Sequence, residues 1–160
     1  MIGWLKINHM LFISPSINGW ILILGSDLPD PNEDIDVCFR ILPGLSRKLG
    51  QVQFFNANRV LNHHAWARIE AGRVVRAYVW AGRTLWNQGI KTSAELDLGL
   101  RCFRYLDKSG RPLFGQADIL TTNTEKVPLL AARWSFDPAA VDGRVLEKTC
   151  GIAGEPFHLY

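Results

Sequence analysis

The sequence predicts an α+β domain, a mainly antiparallel sheet of five or six strands with about three helices packed mainly on one face. Three observations lead there. The run from Gln51 to Gly89, QVQFFNANRVLNHHAWARIEAGRVVRAYVWAGRTLWNQG, reads as an antiparallel meander. Asn18-Gly19 separates two β-rich runs, the strongest short hairpin signal. Apolar residues at three- and four-residue spacing mark helices after Asp30, after Thr92 and from Glu125 to Ser135.

In chain order, Leu11 to Leu24 is the first hairpin. A type I′ turn at Asn18-Gly19 pairs Ile17 with Trp20 and sets Pro15 opposite Leu22. Pro15 has no N–H for the ladder, so its strand is expected at a sheet edge. Ile21 to Leu24 is unbroken aliphatic, as in a strand covered on both faces. Asp30 then offers an N-cap, Pro31 the first helical position and Glu33 a capping box. Ile35, Cys38, Phe39, Leu42, Leu45 and Leu49 form one apolar stripe, and Gly50 a stop. Pro43 removes an internal hydrogen bond, so the helix is expected to bend near Phe39 or to split.

In the meander the turn at Ala71-Gly72 decides the chemistry of each face. Alanine resists the positive φ of a type I′ turn, so a type I turn with a glycine bulge is expected, pairing Ile69 with Arg73. Ala67 then faces Val75, and Ala65 faces Ala77, a small apolar face suited to a helix. The other face pairs Trp66 with Arg76, His64 with Tyr78 and Asn62 with Trp80. Trp66 and Arg76 as direct neighbours would stack indole on guanidinium. Thr84 to Asn87 is the next strand.

Thr92-Ser93-Ala94-Glu95 is a capping box, opening a helix with Leu96, Gly99, Leu100 and Phe103 on one side. Asp107 to Gly110 reads as a turn. Val127, Leu130, Ala131 and Trp134 share a face of the last helix, which Asp137-Pro138 ends. Residues 1–138 are read as one domain and 139–160 as an irregular tail packed on it.

Composition narrows the class. The 160 residues are 48 % apolar and 21 % charged, with formal net charge +3, ordinary for a globular protein and unlike a disordered one. The excess arginines are scattered, with no basic run, which argues against nucleic acid as partner. No apolar run reaches the ~20 residues of a membrane span, and no signal-peptide pattern is present, so a cytoplasmic protein is expected. The chain opens on apolar Met1-Ile2-Gly3-Trp4, as if it began inside a domain. Cys38, Cys102 and Cys150 are widely spaced and odd in number, which fits neither a disulfide framework nor a zinc ribbon.

Chemistry-bearing residues each carry a plain structural alternative. Adjacent His63 and His64 point to opposite faces of a strand and cannot share one metal; His9 and His158 add no ligand spacing. His64 beside Tyr78 and Arg76 has the makings of a general base, although a hydrogen-bonded sheet histidine is the commoner case. Arg59, Arg68, Arg73 and Arg76 offer an anion-binding fork, but no Gly-rich phosphate loop accompanies them. Gly25-Ser26-Asp27 lies between strand and helix without a nucleotide-binding pattern. Acidic Glu33, Asp34 and Asp36 are explained by the helix dipole. No cofactor or metal is indicated.

Asn58-Arg59-Val60, His64 to Arg68, Val75 to Tyr78 and Leu85 to Gly89 resemble a group of small uncharacterised bacterial proteins. Ile13-Ser14-Pro15, Gly19-Trp20, Ala132 to Ser135 and Asp137-Pro138 extend that resemblance over most of residues 11–138. It implies one compact domain in a bacterial, cytoplasmic setting and assigns no activity.

The functional expectation is a non-enzymatic protein-binding or accessory module, of which toxin-neutralising immunity proteins are one kind by fold-level analogy. Its surface would be the face of Trp66, His64, Arg76, Tyr78 and Trp80, since interface cores favour Trp, Tyr and Arg. The alternative is a small enzyme or ligand-binding domain with His64 and Arg76 in a pocket. A broad exposed aromatic patch would favour the first and a concave pocket at His64 the second. A helix covering the face would weaken both and leave it a structural role.

Overall fold

The computed structural model describes residues 11–25, 28–105, 117–135 and 150–154, with backbone only for 117–122. Contacts divide the chain into two compact units, residues 1–28 with 139–160, and residues 29–138.

In the first unit, β1 (Leu11–Ile17) and β2 (Trp20–Gly25) form the expected hairpin, with β7 (Ile152–Gly154) added to β1 in the order β2-β1-β7. Asn18 and Gly19 both have positive φ, the type I′ signature, and Ile17 pairs with Trp20. Pro15 lies in the central strand and not at an edge. The register jumps between Ile13 and Ser16, and β7 pairs only with Leu11 to Ile13, so no ladder bond is asked of the proline. The Ser14 hydroxyl accepts from Leu22 N (2.9 Å), replacing the lost rung. β2 is an edge strand with Ile21 and Leu24 half exposed, so its aliphatic run is not covered on both faces. Part of the segment read as an irregular tail is thus a strand; Asp142-Gly143 lies outside the described residues.

The second unit begins with a turn. The Asp30 carboxylate takes the Asn32 N–H (2.9 Å), and the Asp30 carbonyl receives Glu33 and Asp34. Asp34, not Asp30, is the N-cap of α1 (Ile35–Leu49), accepting from Val37 N at 2.8 Å. Two aspartates four residues apart both carry cap chemistry, and the sequence does not rank them. Pro43 sits inside this one continuous helix. The buried Ser46 hydroxyl donates to the Pro43 carbonyl and accepts from Gly72 N, tying α1 to the turn after the second meander strand.

β3 (Gln51–Asn58), β4 (His63–Glu70), β5 (Arg73–Trp80) and β6 (Thr84–Gln88) form an antiparallel sheet in sequence order. The turn differs from expectation. Ala71 adopts φ 47° and Gly72 φ 80°, a type I′ turn that pairs Glu70 with Arg73. The bulge lies higher, where Val75 is the extra residue between the Ile69–Val74 and Arg68–Arg76 pairs. Beyond it Ala67 faces Ala77, Trp66 faces Tyr78, Ala65 faces Val79 and His64 faces Trp80. The expected partners of His64 to Arg68 are therefore displaced by two residues along β5, and Asn62, expected opposite Trp80, lies instead in the connection between β3 and β4. Side chains alternate with period two, so the displacement changes each partner and neither face.

The small apolar face of Ala65, Ala67, Ile69, Ala77 and Val79 packs under Cys38, Phe39 and Leu42 of α1, as anticipated. Phe39 stacks on Trp86 with centroids 3.6 Å apart. The opposite face, Trp66, Tyr78 and Trp80, packs under Leu100, Val127 and Leu130. α2 (Ser93–Asp97) is a single turn opened by the Thr92–Glu95 capping box, shorter than the expected helix. α3 (Ala117–Trp134) starts well before Glu125 and holds Pro128 in its interior. The α+β class and antiparallel pairing hold. Within the described residues, the strands divide into sheets of three and four, and helices flank the four-stranded sheet on both faces.

Candidate functional site

The aromatic and arginine face is not open to water. His64, Trp66 and Tyr78 are each 0 % exposed, Arg76 1 % and Trp80 2 %. α3 and the segment after α2 close it, so the geometry to explain is a buried polar layer.

Its centre is an ion pair. Arg76 Nε donates to both Glu95 oxygens (2.9 and 3.0 Å), and Nη2 lies 2.9 Å from Oε1. Arg76 Nη1 donates to Ala77 O, Asn87 Oδ1 and Gln88 O, while Nη2 also reaches Cys102 Sγ at 3.1 Å. Trp66 Nε1 donates to Glu95 Oε1 (2.9 Å). Thr92 supplies its N–H (2.8 Å) and hydroxyl (3.1 Å) to Oε2. Indole and guanidinium thus share one carboxylate instead of stacking on each other as their expected pairing implied. Arg76 instead lies over Tyr78, 6.0 Å from the ring centroid.

Glu95 is in place because a capping box at Thr92 aims its carboxylate back at the helix start, here pressed against the sheet. One carboxylate both caps α2 and neutralises Arg76. Removing one member of a buried pair costs about 3–5 kcal/mol, because the other is left uncompensated. The half-exposed Arg68–Glu70 pair (2.7 Å) belongs to the solvent-screened class worth at most about 1 kcal/mol.

His64 occupies a second cluster whose proton count can be read from its neighbours. Asn123 Oδ1 accepts from Arg101 N (3.0 Å) and its Nδ2 donates to Arg101 O (2.6 Å), which fixes the amide orientation. The same Nδ2 faces His64 Nε2 at 3.3 Å, so Nε2 must be the unprotonated acceptor. Thr124 Oγ1 gives its proton to Asn62 Oδ1 (2.8 Å) and lies 3.1 Å from His64 Nδ1, so Nδ1 carries the hydrogen. His64 is neutral and held at both nitrogens. Burial, with a smaller push from His63, lowers its pKa to about 3. Protonation would also set Nε2–H against the Asn123 amide. Tyr78, raised to about 12 mainly by burial, accepts from Phe103 N through its phenol oxygen.

The other residues singled out from the sequence disperse. Arg76 is buried, Arg68 pairs with Glu70, Arg73 is exposed at the β4–β5 turn, and Arg59 is exposed at the opposite end of the sheet, so the four make no fork. Burial raises Cys38 and Cys102 to about 11, Asp30 adding to the first and Arg76 opposing the second; Cys150 is exposed. No group of three potential metal ligands occurs among the described residues. No helix among them is long and apolar enough to cross a membrane. Ser26, Asp27, His9 and His158 lie outside the described residues.

Glu95, Asn123 and Thr124 are the site residues that sequence reasoning missed. A signal existed for the first: an arginine on a buried face requires a carboxylate, and the capping-box Glu95 follows closely. The β3–β4 connection was missed as well. Arg59 to Asn62 bridges the Asn58–His63 pair, with Val60 93 % and Leu61 59 % exposed. Asn58 Oδ1 accepts from Leu61 N (3.0 Å), and Asn62, at φ 54°, is anchored by Thr124.

Fold and site together define a small α+β domain with a buried polar layer, in which Arg76, Trp66, Glu95 and His64 are hydrogen-bonded internally, and an exposed apolar hairpin tip. Comparison with known proteins returns no match to this chain, neither a family model nor a curated protein nor a solved structure.

Proposed function

We propose that this chain is a non-enzymatic protein-binding module in which Trp66, His64, Arg76, Tyr78 and Trp80 form the frame and the β3–β4 tip makes the contact. One observation carries the reading. The polar groups of the layer are spent on each other, with Arg76 and Trp66 on Glu95, and both His64 nitrogens on α3. A general base must keep a lone pair for substrate, and an anion-binding arginine must keep its donors. Here those groups act to hold α2 and α3 on the sheet.

The tip supports the other half. Turns are built from Gly, Asn, Asp and Ser, each for a conformational reason. This one places Val60 and Leu61 in water, and two side-chain hydrogen bonds fix it there. A local rule broken on a braced element is expected at functional or strained sites, and the exposure of Val60 and Leu61 favours a contact surface here.

A photo-crosslinking amino acid at Leu61, compared with one at exposed Lys48 on α1, tests this in the native host. A discrete protein adduct from position 61 and none from position 48 is expected. Equal labelling from both, or none from 61, removes the tip from the interface.

A further inference from the structure

The tip has a charged surround that its apolar residues alone do not reveal. Arg59 begins the turn and is exposed. Arg101 is exposed too, and its backbone is clamped by Asn123, whose neighbour Thr124 anchors Asn62 in the same turn. Arg83, in the β5–β6 connection, is exposed at the same end of the sheet, because His64 pairs with Trp80 and Trp80 with Thr84. None of the three forms an ion pair among the described residues. Exposed Val60 and Leu61 thus share an end of the sheet with these three exposed arginines, and with exposed Glu125, which follows Thr124 on α3.

Resting on the binding reading above, we infer that the partner is a protein segment presenting an apolar anchor flanked by Asp or Glu side chains, docked on Val60 and Leu61 with Arg59 and Arg101 at the same end of the sheet. Arginine suits this role because its planar fork meets a carboxylate bidentately and is weakly hydrated, so pairing costs little desolvation. The aliphatic pair supplies the salt-independent part of the contact and the arginines the steering and register. Four tip residues bury far less than the roughly 1,200 Å² of a stable interface, so the association is weak and exchangeable.

An anionic membrane is the competing occupant, since it too would take aliphatics and arginines. The charge at this end of the sheet argues against it. α1 ends beside the β4–β5 turn, where Ala71 N bonds Gly50 O, and Phe39 near its start stacks on Trp86 of β6. Exposed Glu33, Asp34 and Asp36 therefore lie toward the tip end of the sheet. A planar anionic surface laid on the tip would be repelled by them, whereas a local protein segment need not approach them.

The test pans a random-peptide phage library against the full chain, with counter-selection on the Val60→Ser/Leu61→Ser variant. Those side chains are exposed, so the variant should keep the wild-type melting temperature. Enriched peptides are expected to combine Asp or Glu with a large apolar residue and to be lost on the variant. They should also bind about tenfold more weakly to Arg59→Glu/Arg101→Glu, an effect muted at high salt. Tip-dependent peptides without acidic character would overturn the partner class and leave the binding reading standing. No tip-dependent peptide would overturn both. Sedimentation of wild type, and not of the Val60/Leu61 variant, with phosphatidylserine-containing vesicles would overturn the protein partner in favour of a membrane.

Discussion

His64 shows how a buried residue becomes visible in bulk measurements. Its folded pKa of about 3 lies below the ordinary 6.5, so between those values the unfolded chain binds a proton that the folded chain refuses. Stability contributed by neutral His64 is complete above the ordinary pKa and declines as pH falls from about 6.5 toward 3. At pH 5 the loss is about 2 kcal/mol, since each unit of mismatch is worth about 1.4 kcal/mol. His64→Gln keeps a neutral polar group and has nothing to titrate there. Its urea-unfolding free energy is expected to start lower near pH 7 and to fall less steeply toward pH 5 than the wild type's, by about 2 kcal/mol. Parallel curves for the two proteins would mean that His64 accepts its proton in the folded state. The proton inventory around the ring, read from Asn123 and Thr124, would then be mistaken.

At the level of elements, the meander separates what periodicity encodes from what it does not. The two faces were legible because alternation survives any even displacement of one strand against another. The partners were not, because they depend on where the extra residue sits, and no residue type marks Val75 as a bulge. The penalty expected at Ala71 is real but is accepted, since a type I′ turn matches the strand twist. Asparagine tolerates that conformation, so Ala71→Asn, at an exposed position, should stabilise the protein by about 0.5–1 kcal/mol. Gly89→Ala should do the reverse and cost well over 1 kcal/mol. Gly89 has φ 79°, and a Cβ there would collide with the carbonyl oxygen of the bulged Val75. Thermal melts of the two variants should shift in opposite directions. If Gly89→Ala melts with the wild type, β6 does not pack against the bulge as described. The early part of α3 was illegible for a related reason. Thr121-Thr122-Asn123-Thr124 has poor helix propensity, and two of its polar residues face a histidine that only the tertiary fold places there.

For the whole molecule, the sequence showed that one face of Trp, His, Tyr and Arg existed and left open whether water reached it. Periodicity assigns a residue to a face but not a cover to that face, and here the cover comes from segments distant in sequence. Leu100, Val127 and Leu130 close it, and Glu95 and Asn123 make its polar atoms bearable in the interior. This arrangement makes a prediction about autonomy. Both hydrophobic clusters of the four-stranded sheet are drawn from residues between Ile35 and Trp134, within the unit spanning 29–138. A fragment of those residues, about 110 long, has the size of a typical domain and supplies both layers from its own chain. It should therefore unfold in a single cooperative transition and keep the near-ultraviolet circular dichroism of buried Trp66 and Trp80. Amides of central β4 and β5 should exchange most slowly, and those of edge strand β6 faster. A fragment with native-like far-ultraviolet but featureless near-ultraviolet spectra would be a molten state. That outcome would show that residues 1–28 or 139–160 are needed to fix the packing of the layer.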